Sequence, residues 1–148
     1  MFLAEANPLN ASALIFPALE CLHIFGFAMA VGTISIVDLR MIGVGMNRQQ
    51  THELARDLAP WTLIGLTLVL LSGPLMFSSD PDMYYLNPSF QVKMVCFAAA
   101  LLFHYTIHRK VALAGGSGAA ARLVGGISLA LWASVIFGGI FIAFTGQM

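Results

Sequence analysis

The chain has 148 residues, of which 59% are hydrophobic and only 9% charged. An ordinary soluble domain carries about a quarter charged residues, so this chain cannot cover a soluble surface and its environment is lipid. Seven basic and seven acidic residues cancel, with no run of either sign, which excludes a nucleic-acid-binding surface or an acidic partner.

In chain order, the segment from Met1 to Asn10 contains Glu5 and no Lys or Arg. It lacks the basic region of a cleavable signal peptide, so the first apolar stretch is expected to be retained. Four apolar stretches follow, at roughly 12–39, 60–78, 90–107 and 123–144. Each is close to the ~20 residues that cross ~30 Å of hydrocarbon. The expected fold is all-α: an integral membrane four-helix bundle forming one transmembrane domain over residues 1–148, with both termini outside the cytoplasm.

On the first stretch, Glu20, His23, Phe27, Ala30, Ile34 and Asp38 recur at spacings of three and four, which places Glu20, His23 and Asp38 on one helical face. Asp38 and Arg40 read as an interfacial pair closing that helix. The first loop carries Arg40, Arg48, Arg56 and His52, the last as a surface residue. Pro74, after Gly73, predicts a kink in the second helix. The second loop runs through Asp80-Pro81-Asp82 to Asn87-Pro88, and the third is the glycine-rich 115–118. The third stretch repeats the stripe pattern with Lys93, Phe97, Leu101, His104 and His108, ending at Arg109 and Lys110. On the fourth, Gly126, Ala130, Ser134 and Gly138 at a spacing of four predict a close-packing face, toward this chain or a second copy in a homo-oligomer. Trp61, Tyr84, Tyr85 and Tyr105 read as interface markers.

Basic residues in short loops favour the cytoplasmic side. The first loop and the third region (Arg109, Lys110, Arg122) are basic, whereas the second loop carries Asp80 and Asp82. Both termini then face outward, into the periplasm of a bacterial inner membrane.

Ionisable residues within a membrane are expensive and usually face a bundle interior. The stripe with Glu20, His23 and Asp38 and the stripe with Lys93, His104 and His108 are expected to face each other. Histidines so placed can hold b-type haem: His23 with His104 or His108 as axial ligands, Phe27 and Phe97 as apolar walls, Lys93 or Arg109 as propionate partners. The chain would then carry electrons within the membrane, to or from a quinone or a partner oxidoreductase. Depth decides how many sites there are. Aligning the outer ends at Asn10 and Asn87 separates His23 from His104 by about 6 Å; aligning the inner ends at Arg40 and Arg109 separates them by about 18 Å and splits the histidines between two sites. Copper is the competing metal, with Met29, Met76, Met83, Met94, Cys21 and Cys96 as soft donors. A third reading is an accessory subunit without cofactor, in which His23 and His104 only hydrogen-bond across the bundle and Glu20 pairs with Lys93.

The elements Leu22-His23 with Gly26, Asp38-Leu39-Arg40, Asn87-Pro88-Ser89-Phe90-Gln91-Val92-Lys93 and Phe103-His104 span nearly the whole chain. In them the chain resembles a group of small bacterial four-helix membrane proteins and, more distantly, is similar to the copper-resistance D domain and to the small membrane protoporphyrinogen oxidase that binds b-type haem. The distant resemblance implies haem or copper handling, carried here by His23, Lys93 and His104.

Overall fold

In a computed structural model, residues 12–45 and 48–145 are described. Glu5, Asn10 and Asn47 lie outside them, and so do both chain termini. Five helices form, and no strand occurs among the described residues: α1 (Ile15–Ile42), α2 (Thr51–Ser79), the short α3 (Pro81–Tyr85), α4 (Pro88–Leu113) and α5 (Ala119–Thr145). All but α3 are long and apolar enough to cross a membrane. Their outer surface is apolar along its length, with Phe25, Leu71, Val95, Leu102 and Phe137 all more than half exposed. Such a surface is stable only against lipid tails.

Local chemistry sets the ends. α1 stops at Gly43, whose φ of 93° turns the chain left-handed so that its N–H and that of Val44 reach back to the carbonyl of Leu39. α2 begins nine residues before its apolar stretch, because Gln50 and Glu53 form a reciprocal cap on its first turn. It then continues to Ser79 through both Pro60 and Pro74. Asn87 starts α4, its Oδ1 accepting from the N–H groups of Ser89 (2.9 Å) and Phe90 (3.3 Å), with Pro88 where no donor is needed. Its Nδ2 donates to Ile142 O at 3.0 Å, fastening the start of α4 to the end of α5.

Lipid tails supply no hydrophobic drive between spans, so close packing and polar contacts must hold the bundle. α1 packs on α2 and α5, and α4 packs on α5, which leaves α1 and α4 diagonal. The α1–α2 crossing is the tightest. A Cβ on Gly65 would stand 2.6 Å from Gly26 O and from Ala30 N, and one on Gly26 would stand 2.6 Å from Leu68 Cβ. At the centre, Trp132 of α5 is held edge-on by Phe27 of α1 (6.3 Å between ring centroids) and Phe97 of α4 (6.1 Å), with Ala30, Val31, Ile34, Leu66, Ala100 and Val135 around it. The buried face of α5 is Gly125, Ser128, Trp132 and Val135. Of the small-residue stripe, Gly126, Ala130 and Ser134 face out of the bundle, while Gly138 meets α4, where a Cβ would stand 3.0 Å from Lys93 Cβ.

Candidate functional site

One turn of α4 departs from α-helical winding before the helix resumes over Arg109–Leu113. Residues His104–His108 form a π-helical turn, whose wider winding brings residues four apart closer to eclipse and recurs at functional positions. Its effect is to stack the His104 and His108 rings, 5.0 Å apart and 26° from parallel, with Tyr105 edge-on to His104. From α1, Asp38 meets this turn: its Oδ1 lies 2.6 Å from His108 Nε2, with Asp38 fully buried and His108 2% exposed. Given an ionised Asp38, Nε2 carries the proton and donates it, leaving His108 Nδ1 bare in the neutral ring. Neither His108 Nδ1 nor His104 Nδ1 has a hydrogen-bond partner. Ser128 of α5 stands close enough to the Asp38 carboxyl to act on it, although no well-formed hydrogen bond joins them.

Beside the histidines is a cleft of ≈ 190 Å³ between α1, α2 and α4, lined by Ile34, Leu58, Pro60, Leu63, His104 and Tyr105 and also by His108 and Arg109. Leu63 and Tyr105 are 59% and 43% exposed, so the cleft opens sideways onto the apolar surface of the bundle. Arg109 is itself exposed at the mouth. His52, at the start of α2, lies near Gly115 rather than at the cleft.

Contact of Asp38 with His108 fixes the register of the two stripes and selects alignment by the inner ends. His104 then stands level with Ile34, eleven residues along α1 from His23, or about 17 Å. Two residues expected to pair do so with other groups: Asp38 bonds His108 rather than Arg40, whose Nε donates to Gln49 O at 2.7 Å. No ion pair joins Glu20 to Lys93 among the described residues; Glu20 is exposed and its charge reaches Tyr84 instead. Lys93 lies level with His23, close enough to act on it electrostatically.

His23 is held by Ser72 of α2, Nδ1 to Oγ 2.8 Å. The Ser72 hydroxyl proton is engaged by Leu68 O at 2.6 Å, so Ser72 accepts from His23 Nδ1–H and His23 Nε2 is a bare lone pair. Gly73 leaves room for the ring: a Cβ there would stand 3.4 Å from His23 Cε1.

These positions decide what can be held. An iron shared by His23 and His104 does not fit, because the two are about 17 Å apart in depth and the space between the Phe27 and Phe97 walls is filled by the Trp132 indole. His104 and His108 stack face to face and so cannot flank a porphyrin from opposite sides. The cleft is below the ~300 Å³ of a small-ligand pocket, which admits one ring and not a tetrapyrrole. Nor do three His, Cys, Asp or Glu side chains converge as a metal site among the described residues; Cys21 is exposed and Cys96 half-buried on separate helices.

Fold and site together define a multi-pass helical membrane protein with a buried carboxylate–imidazole pair in one half of its bundle. The chain belongs to a family of unknown function, DUF6644, which it matches over residues 14–145. No curated protein and no solved structure matches it.

Proposed function

We propose that this is a bacterial inner-membrane protein that takes the ring of a quinone or quinol from the bilayer into the cleft beside His104 and exchanges a proton with it through His104, His108 and Asp38. The observation that carries this reading is the fully buried Asp38–His108 bond, with His104 stacked on it, at the back of a cleft open to lipid. An ionisable pair is retained inside a membrane when it serves a ligand or a proton path. The cleft has the size of one six-membered ring with its substituents, apolar walls for the ring faces, and the His104 imidazole for an oxygen of the ring. A lipid-soluble tail stays in the bilayer beyond Leu63 and Tyr105.

Reduction of a quinone takes two electrons and two protons. In this reading the chain handles protons, with Asp38 and His108 holding and returning them, and a partner oxidoreductase supplies or removes the electrons. Basic residues cluster at the cleft end of the bundle, at Arg40, Arg48, Arg56, Arg109, Lys110 and Arg122, so that end faces the cytoplasm and both termini face the periplasm.

Trp61, 54% exposed between the cleft residues Pro60 and Thr62, provides the test. A short-tailed benzoquinone titrated into the protein in lipid nanodiscs should quench its fluorescence saturably, and His104→Ala should weaken binding by about tenfold, the loss of one hydrogen bond and a ring contact. Quenching that rises linearly without saturation, identical in His104→Ala, would remove the reading.

A further inference from the structure

The π-helical turn of α4 brings a cation into the wall of the cleft. Arg109 N–H donates to His104 O, the i→i+5 bond that defines the turn. At ~3.6 residues per turn, uninterrupted α-helix would set Arg109 about 140° round the axis from His104. With the wider turn between them, both side chains line the same cleft. Arg109 is the one lining residue with a permanent charge, and it makes no ion pair among the described residues. Asp38, bonded to His108, is not part of the lining; Asp57, next to the lining residue Leu58, is exposed and makes no ion pair with Arg109. Of the neutral polar groups in the cleft, Thr62 Oγ1 is engaged by Leu58 O and Thr33 Oγ1, whereas His104 Nδ1, on a residue only 9% exposed, has no partner.

The cleft therefore offers a bound ring two fixed points of different kinds, a buried imidazole nitrogen and a guanidinium at the mouth. Granted the cleft as a quinol site, we propose that its ligand ring bears a carboxylate, with a ring hydroxyl bonded to His104 Nδ1 and the carboxylate accepting from Arg109. A planar guanidinium meets a carboxylate through two parallel N–H···O bonds and is more weakly hydrated than an ammonium, which suits a pair formed at a lipid-facing mouth. A neutral ring gains nothing from Arg109. The tail still leaves sideways past Leu63 and Tyr105.

Displacement of benzoquinone from the protein in phosphatidylcholine nanodiscs tests this, read by recovery of Trp61 fluorescence. The competitors are a ring-alkylated gentisic acid, which is a benzoquinol with a ring carboxylate, and its methyl ester. At equal concentration in the bilayer the acid should compete about tenfold better than the ester, the scale of one charge-assisted pair, and Arg109→Gln should abolish that preference. Saturable quenching by benzoquinone itself should persist in Arg109→Gln, which shows that fold and cleft are intact. Lys110→Gln removes the adjacent exposed cation outside the cleft and should leave the preference unchanged. An ester that competes as well as the acid would overturn the carboxylate assignment and leave a quinol cleft standing. So would a preference lost equally in Lys110→Gln, the mark of general attraction to a basic surface. Benzoquinone quenching that never saturates would remove the cleft reading itself, and the carboxylate assignment with it.

Discussion

Asp38 and His108, seventy residues apart in the chain, meet at 2.6 Å inside the bundle and are the one polar bridge between its diagonal helices α1 and α4 among the described residues. The other polar bridges join neighbouring helices, His23 to Ser72 and Thr33 to Thr62 between α1 and α2 and Asn87 to Ile142 between α4 and α5, so this bond is what sets the depth of α1 against α4.

Removing one partner of a buried pair leaves the other uncompensated, at a cost of about 3–5 kcal/mol, whereas replacing both by apolar side chains is far less costly. Asp38→Leu should therefore lower the midpoint of unfolding in detergent more than the double change Asp38→Leu, His108→Phe. A double variant as unstable as the sum of the two single variants would show that the pair is not coupled.

Two glycines in α1 and α2 allow opposite expectations. At Gly65 an added methyl meets the α1 backbone at 2.6 Å, and Gly65→Ala should destabilise by about 1–3 kcal/mol. At Gly32 nothing lies within 4 Å, and Gly32→Ala should be neutral or gain a few tenths of a kcal/mol from helix propensity. Thermal midpoints of the two variants check the crossing directly.

Tyr84, packed against Phe77 and Phe90 outside the spans, has its phenol raised above the usual value of ~10 by burial, and further by Glu20 and Asp80. A group that holds its proton more tightly when folded contributes stability below its unfolded pKa and loses it as pH rises through the folded one. Stability should thus decline above pH ~10, less so in Tyr84→Phe, and a tyrosinate absorbance titration should lose its latest component in that variant.

The spans were legible because lipid excludes charge and helical spacing is regular; of the polar stripes, His23 and Asp38 on one helix and Lys93, His104 and His108 on another are buried or half-buried, whereas Glu20 is exposed. Register was not legible from the two ends, since one alignment puts His23 near His104 and the other does not. A clue was nevertheless present. Sliding the stripes by seventy residues sets Asp38 against His108 and His23 against Lys93, whereas the outer alignment pairs neither. The π-helical turn escaped the sequence reading because it depends on winding, which residue type in His104–His108 does not disclose. On α5 the glycine that meets α1 is Gly125, where a Cβ would stand 2.9 Å from Asp38 O, and adjacent Gly125 and Gly126 do not disclose in the sequence which of them packs within the chain.

The most direct test of the proton path is a ¹⁵N spectrum of histidine-labelled protein in nanodiscs, without and with saturating short-tailed benzoquinol. The account predicts one imidazole with a strongly hydrogen-bonded Nε2–H, assigned to His108 by its loss in Asp38→Asn, and a shift of the His104 and His108 nitrogens alone when the quinol binds. Unchanged His104 and His108 signals at saturation, with the shift falling on His23 or His52, would contradict it.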